Sequence, residues 1–216
     1  LSSGQGARAM QEAGKRVVGP EFTLDDVEFA GRLDPLIFRD GLRHVKEDGF
    51  DRHHAAFRRA YEEGLRRRLA EPGVAAPLPG VMDLLASLRK HPELTLGLVT
   101  GNYPETGHIK LHAAGIEPSW FRVPTWGVDG PTRRDLPAAA MARHGEQTGQ
   151  PVDPKQVIVI GDTPHDIDCA HHNGCIALAV ATGPSYTREE LESHQPELLV
   201  DDLKDTHAIV DWIRSR

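Results

Sequence analysis

The sequence predicts an α/β protein in which helices cover both faces of a mostly parallel, doubly wound sheet. From about residue 78 to the C-terminus, short apolar runs alternate with amphipathic stretches of helical period. The apolar runs are continuous, which is typical of parallel strands buried on both faces. Residues 7–76, by contrast, carry only helical patterns. We therefore expect a helical segment followed by the α/β part.

Two helices are predicted in the helical segment. Apolar residues at 33, 36, 37 and 42 predict a helix over residues 33–46. A second helix is predicted over residues 52–69, where Phe57, Tyr61 and Leu65 share one side. Its other side carries five arginines, which we interpret as a solvated face rather than a binding patch. Prolines and glycines between residues 72 and 80 predict a linker.

The α/β part is predicted element by element from its period and its helix stops. Apolar residues at 81, 84, 85 and 88 form one helical stripe. Gly115 and the pair Asn173-Gly174 are typical helix ends. The predicted helices cover residues 81–88, 104–114, 136–144, 165–173, 189–194 and 203–214. The predicted strands cover residues 94–99, 123–128, 157–160, 175–181 and 198–200.

The bulk composition excludes some classes of protein. The 216 residues suit one domain or a core with a smaller insert. A net charge of −7 argues against a general nucleic-acid binder, and no apolar run approaches the ~20 residues of a membrane span. No signal-peptide pattern is seen, and the two cysteines, Cys169 and Cys175, are interpreted as small core residues. A cytoplasmic location fits these features best.

Polar side chains follow two of the predicted strands, where ligands of a doubly wound sheet bind. Thr100-Gly101-Asn102 offers a hydroxyl and exposed amides that suit phosphate, although Asn102 could simply cap the next helix. Arg133 and Arg134 could clamp phosphate oxygens or be exposed surface charge. Each signal is weak by itself.

The segment VIVIGDTPHD, residues 157–166, carries a stronger signal. Asp162 follows the most apolar strand directly, and Asp166 lies four residues later at the start of a helix. Two such carboxylates can share Mg²⁺ or order its waters. Alternatively, Asp162 or Thr163 caps the helix while Asp166 adds favourable charge to its first turn. Together with the hydroxyl and the arginines, the pair predicts a phosphate and metal site.

The order of these motifs resembles that of the haloacid dehalogenase-like hydrolase superfamily, in its phosphoglycolate-phosphatase-like branch. LGLVTGN, RRDLP and VIVIGDTPHDIDCAHHNG occur in the family's order, and AVATGPSYTREEL and PELLVDDL also match the branch. FAGRLDPLIF is similar to the branch's helical cap. The resemblance implies a Rossmann-like core over residues 1–8 and 78–216, with a helical cap over residues 9–77.

The resemblance also implies roles for the site residues. Thr100, with Gly101 and Asn102, would bind the phosphoryl oxygens. Arg133, or as second choice Arg134, would neutralise charge in the transition state. Asp162 would ligate Mg²⁺, and Asp166 would hold its water shell or contact the basic residue. In the cap, Arg32 is a candidate for a carboxylate or second anionic group of the substrate, or a surface residue at a helix start.

The family's nucleophile motif, Asp-x-Asp-Gly-Thr after a central strand, is not found in the sequence. The first four residues resemble those that follow this motif in relatives, so we expect it to precede Leu1. The expected function is Mg²⁺-dependent hydrolysis of a small phosphorylated metabolite through an aspartyl phosphate, by a monomer or homodimer. A phosphosugar mutase, a dehalogenase or a non-catalytic phosphate-binding protein are the alternatives.

Overall fold

A computed structural model describes residues 4–45, 49–71 and 73–216. The chain forms two compact units, which are described separately below. The helical unit comprises Leu1–Ala76 and Gly101–Pro118, and the sheet unit comprises Pro77–Thr100 and Ser119–Arg216. Among the described residues, 4–8 and 101–118 group with the helices in this division. The predicted core and cap domains stay predictions.

The described part of the chain contains nine α-helices and five strands. In chain order they are α1 (Gln5–Val17), α2 (Asp34–Gly41), α3 (Phe50–Arg68), α4 (Val81–Leu88), β1 (Gly97–Val99), α5 (Pro104–Ala113), β2 (Val123–Thr125), α6 (Asp135–Thr148), β3 (Ile158–Gly161), α7 (Pro164–His172), β4 (Ile176–Val180), α8 (Arg188–Ser193), β5 (Leu198–Val200) and α9 (Thr206–Arg214). Short 3-10 turns lie at Pro118–Trp120 and Pro154–Gln156.

The helical unit packs α1, α3 and α5 around an aromatic core. The rings of Phe38 and Phe57 stack with centroids 4.0 Å apart, and Tyr61 and Tyr103 are also buried. The prediction that residues 7–76 are helical throughout is wrong, because residues 18–33 form turns and extended backbone. Gly19 has φ 123°, a conformation that a helix does not contain.

The predicted helix over residues 33–46 is shorter in the structure. It covers Asp34–Gly41, and residue 46 lies outside the described residues. The predicted solvated face of α3 carries ion pairs with glutamates, among them Arg66 with Glu62 at 2.9 Å. Within the described ranges, no helix combines the length and the apolar character needed to cross a bilayer.

The sheet unit confirms the predicted parallel pairing. β1 pairs with β2, and β3, β4 and β5 pair in that order, all in parallel. In the described residues these strands form two sheets rather than one. On β3, Ile160 is 36% exposed although it lies in an apolar strand. The strand expected before Leu1 stays a prediction, and residues 1–3 lie outside the described residues.

The central strand β4 is buried on both faces, as its continuous apolar sequence predicts. Ala177 and Ala179 join one core cluster, whereas Leu178 and Val180 join another. Alternate residues of a strand point to opposite faces, so helices cover both sides of this sheet. The first cluster also contains Val159, Ile167, Cys169, Ala170, Cys175 and Leu191. The second contains Leu84, Leu88, Leu203, Ile209 and Val210. Both cysteines are thus core residues.

Candidate functional site

The loop between β3 and α7 brings the Asp166 side chain against Gly161, the last residue of β3. The carboxylate Oδ2 of Asp166 accepts hydrogen bonds from the Thr163 amide (3.0 Å) and the Thr163 hydroxyl (2.8 Å). A Cβ on Gly161 would lie 2.1 Å from Asp166 Cγ, so only glycine fits there. Pro164 at the first helical position favours this helix start. The local sequence GDTPHD therefore directs Asp166 back towards the loop.

Arg133 meets Asp166 from the loop before α6. Its Nη2 donates to Asp166 Oδ1 at 2.5 Å, and the two side chains are only 16% and 8% exposed. Burial by itself would lower the pKa of Arg133, but the charge and hydrogen bond of Asp166 outweigh burial and raise it. Both oxygens of Asp166 are thus engaged within the protein, and Arg133 stays charged.

Asp162 has a different environment from Asp166. Burial raises the pKa of Asp162, the nearby Asp166 carboxylate raises it further, and Arg133 opposes the shift. A Cβ on Gly183 would lie 2.5 Å from Asp162 Oδ2, so this glycine leaves room for the carboxylate. A desolvated carboxylate of this kind can accept a cation.

Asp162 and Asp166 are the possible cation ligands of this loop. In the described part of the chain, no group of three or more His, Cys, Asp or Glu could hold a metal. Mg²⁺ keeps several waters and is held by one or two carboxylates. Asp162 could therefore bind it directly, whereas Asp166, whose two oxygens are used, is suited to fixing Arg133.

Arg134 differs sharply from its neighbour. Its Nε and Nη2 donate to both oxygens of Asp168 at 2.7 and 2.8 Å, and its side chain is 53% exposed. Its carbonyl accepts a hydrogen bond from Asn173 Nδ2 at 2.7 Å. The Asn173 amide also donates to the Cys169 carbonyl at 2.7 Å. Of the two arginines, Arg133 is thus the one directed at the acidic loop.

The segment after β1 lies partly in each unit. Thr100 ends β1 and donates its amide to the Thr125 carbonyl at 3.1 Å. A Cβ on Gly101 would lie 2.0 Å from the Arg32 carbonyl oxygen, so glycine is needed here for the Arg32 backbone to pack against Gly101. The Asn102 Oδ1 accepts from Lys110 Nζ. Asn102 does not cap α5, because Pro104 sets the helix start and Tyr103 is the N-cap.

Arg32 forms an ion pair within the helical unit. Its Nη1 donates to Asp40 Oδ2 at 2.6 Å, and the two side chains are 26% and 39% exposed. Its part in binding a substrate stays a prediction.

Sequence reasoning missed a buried polar cluster in the helical unit. Asp34 is only 5% exposed, and its Oδ2 accepts hydrogen bonds from the Tyr103 amide (3.0 Å) and Thr106 Oγ1 (3.4 Å). Burial raises the pKa of Asp34, although the positive charge of Lys110 opposes this, and burial lowers the pKa of Lys110. In the sequence, Asp34-Pro35 looks like an ordinary helix start. Its burial depends on residues about 70 positions away.

Two sequence comparisons support the motif assignment. The family model described as HAD-hydrolase-like matches residues 133–206, which include Arg133, Asp162 and Asp166. The phosphoglycolate phosphatase of Synechococcus elongatus is 32% identical over 123 residues, covering 57% of this chain and 54% of that protein. The match thus spans about half the length of this curated relative.

Solved structures share the fold over nearly the whole chain. A hydrolase from Pseudomonas syringae superposes with a TM-score of 0.67 at 21% identity, covering 98% of this chain and 92% of that one. A predicted phosphoglycolate phosphatase from Haemophilus somnus 129PT gives 0.66 at 24% identity, with coverages of 97% and 92%. CbbY from Rhodobacter sphaeroides, in complex with xylulose-(1,5)bisphosphate, gives 0.71 at 21% identity, with coverages of 93% and 88%.

These likenesses confirm the predicted α/β, Rossmann-like fold class. The motifs, the matched segment and the shared fold agree with one another. The chain is thus similar to haloacid dehalogenase-like hydrolases of the phosphoglycolate-phosphatase-like branch, in the family match over residues 133–206, in the curated relative and in the shared fold.

Proposed function

We propose that the protein is a Mg²⁺-dependent phosphatase that hydrolyses a small phosphorylated metabolite through an aspartyl-phosphate intermediate. The observation that carries this proposal is the pair Asp162 and Asp166 after β3 together with Arg133 from the loop before α6. It combines a carboxylate suited to a hard cation with a buried guanidinium held in place by a second carboxylate. Phosphoryl transfer needs positioning and charge neutralisation above all, and these groups supply both.

Each residue has a distinct task in this proposal. Asp162 binds the cation, which when bound acts as a Lewis acid on a phosphoryl oxygen. Arg133, oriented by Asp166, offsets the negative charge that develops on the phosphoryl oxygens. The Thr100 hydroxyl and the amides of Gly101 and Asn102 donate hydrogen bonds to the same oxygens.

The nucleophile in this proposal is an aspartate of the motif Asp-x-Asp-Gly-Thr that the family resemblance implies. Its carboxylate oxygen bonds to phosphorus as the ester P–O bond breaks, and a second aspartate gives the leaving oxygen its proton. Water then attacks phosphorus and releases orthophosphate. The resemblance implies both aspartates. A cytoplasmic location and a monomeric or homodimeric state likewise stay predictions.

The substrate class follows from the relatives and from Arg32. The curated relative is named a phosphoglycolate phosphatase, and one structural neighbour is bound to a sugar bisphosphate. We propose a phosphoglycolate-like or sugar phosphate substrate, with Arg32 facing a second anionic group. Arg32 would then exchange its Asp40 partner for the substrate.

A phosphosugar mutase is the second candidate, because neighbours of similar fold include a putative β-phosphoglucomutase from Bacteroides vulgatus with a TM-score of 0.64 at 18% identity. A mutase would return the phosphoryl group to a sugar rather than to water. The acidic loop argues against a dehalogenase, which needs no cation. A protein that only binds phosphate would show no turnover.

The test measures orthophosphate release from an aryl phosphate and from phosphoglycolate, in Mg²⁺ and in chelator, with the full-length protein. Asp162→Ala and Arg133→Ala are each expected to lose about 100-fold or more in kcat, the usual cost of losing one charge-stabilising group. Arg134→Ala is the matched control and should stay within about threefold, because its partner Asp168 is at the surface. Full activity in Asp162→Ala or in chelator contradicts the metal assignment.

A further inference from the structure

Asp34 holds the segment that follows Thr100 at two points. Its own amide donates to the Gly101 carbonyl at 2.7 Å, and its Oδ2 accepts from the Tyr103 amide at 3.0 Å. These two bonds bracket Asn102 and restrict its backbone. Since Asp34 is the first residue of α2, a rigid helix end fixes this part of the loop.

Thr106 and Lys110, which belong to the same buried cluster, also hold the segment that follows Thr100. Thr106 Oγ1 lies within hydrogen-bond distance of both Asp34 Oδ2 (3.4 Å) and the Tyr103 carbonyl (3.2 Å), and the Thr106 and Tyr103 side chains are fully buried. Lys110 Nζ donates to Asn102 Oδ1 and lowers the cost of the buried Asp34 charge. The segment is thus held through its backbone and through the side chain of Asn102.

Helix α3 holds the same segment from another side. His54 Nε2 lies 3.0 Å from the Tyr103 hydroxyl, and Arg58 donates to both Glu105 oxygens at 2.8 Å. These contacts reach side chains beyond residue 102. Asp34, by contrast, contacts the backbone on both sides of Asn102.

We propose that Asp34 is a positioning residue for phosphate binding: its two hydrogen bonds hold the amides of Gly101 and Asn102, and the adjoining Thr100, in the arrangement that binds the phosphoryl group. This inference rests on the proposed function, which assigns phosphate binding to residues 100–102. A buried backbone amide that loses its acceptor destabilises the fold, because no water takes the place of the lost partner. The Asp34 carboxylate is the acceptor for the buried Tyr103 amide.

The experiment compares Asp34→Ala and Asp34→Asn with Glu63→Gln, a control that changes an exposed carboxylate of the same unit, ion-paired with Arg16 at 2.8 Å. Orthophosphate affinity is measured by calorimetry, and hydrogen exchange at the Tyr103 amide by NMR. Mg²⁺ half-activation is measured wherever the protein shows turnover. Asp34→Ala should raise the Kd for orthophosphate about tenfold, equivalent to ~1.4 kcal/mol, with Mg²⁺ half-activation within about twofold. Exchange at Tyr103 should accelerate.

Asp34→Asn keeps an oxygen that can accept from Tyr103, so it should recover most of the affinity. If Asp34→Ala does not fold, Asp34→Glu, which moves the oxygens by one methylene, should show the same loss. Unchanged orthophosphate affinity or unchanged exchange at Tyr103 would overturn the positioning role. Orthophosphate binding without turnover in the unmodified protein would contradict only the phosphatase. No orthophosphate binding at all would overturn both.

Discussion

Asp162 and Asp166 are identical side chains four residues apart, yet their surroundings suit them to different tasks. Asp166 shares its two oxygens between Thr163 and Arg133. Asp162 is desolvated and lies beside a like charge, which raises its pKa. Environment alone can separate the roles of two carboxylates in this way. At the residue scale, the negative charge of Asp162 is therefore unfavourable in the folded protein, whereas both oxygens of Asp166 accept hydrogen bonds.

Replacing Asp162 with asparagine should stabilise the protein near neutral pH without Mg²⁺ while reducing kcat about 100-fold or more. Folding raises the pKa of Asp162 above 3.8, its ordinary value. The protonated side chain therefore contributes stability below pH 3.8, and this contribution is lost as the pH rises through the pKa of the folded protein. Near neutral pH the ionised carboxylate therefore opposes folding. Urea denaturation of both proteins should give a difference that disappears below pH 3.8.

The matched control for this prediction is Asp168→Asn. The hydrogen bond from Arg134 lowers the pKa of Asp168, so its ionised form favours folding and the substitution should not stabilise the protein. If Asp162→Asn is less stable than the unmodified protein at neutral pH, burial of that charge is not the dominant effect.

At the scale of elements, α7 fixes the loop that carries the arginines. Asp166 and Asp168 on α7 bind Arg133 and Arg134, respectively. At the end of the same helix, Asn173 binds the Arg134 carbonyl. The loop before α6 is thus held to α7 mainly by the buried Arg133–Asp166 pair and by Asn173, because the exposed Arg134–Asp168 pair contributes little. Arg133 needs this support, because a long side chain without fixed partners loses rotamer freedom on binding.

Asn173→Ala should lower kcat/KM about tenfold, which corresponds to ~1.4 kcal/mol, because the backbone that follows Arg133 loses its anchor at the Arg134 carbonyl. Stability should fall by about 1–2 kcal/mol for the two lost hydrogen bonds. Thr148→Ala is the matched control, since Thr148 also binds backbone carbonyls at a helix end, those of His144 and Gln150. A stability loss with unchanged kcat/KM would reduce Asn173 to a purely structural role.

At the scale of the whole molecule, the sheet unit supports its site with two cores. Alternate residues of β4 join separate apolar clusters, so the strand that neighbours β3 is held from both faces. A rigid strand end is a precise place for a binding site. Ligands that bind only the folded state should then stabilise the protein as a whole.

Mg²⁺ and orthophosphate together should raise the Tm. At 100 times the Kd, a ligand stabilises the folded state by ~2.7 kcal/mol, which corresponds to roughly 5–10 °C for a chain of this size. Differential scanning calorimetry at matched ionic strength measures the shift. Asp162→Ala should abolish the Mg²⁺ part of it. Equal shifts in both proteins would mean that the cation binds elsewhere.

Much of the fold could be predicted from residues alone, because periodicity and helix stops are local signals. All five strands and the helices after residue 80 lie where the pattern placed them, with changed ends. The prediction of helix for the region before α2 was wrong, because Gly19 and the turns around it interrupt a segment whose composition is typical of helices. The grouping of Gly101–Pro118 with the helical unit depends on the packing of α5 on α3, which is far away in sequence, and local patterns do not encode such contacts.

The sequence by itself determined which residues follow the strands, and therefore that Thr100, Arg133 and Asp162 belong to strand-end loops. Chain order is enough for this, since the end of an apolar run marks the end of its strand. Only the tertiary structure decided that Arg133 rather than Arg134 meets Asp166, and that Asp34 is buried against Tyr103. Desolvation and hydrogen-bond direction depend on atoms that the fold brings together from distant positions, and no local pattern encodes them.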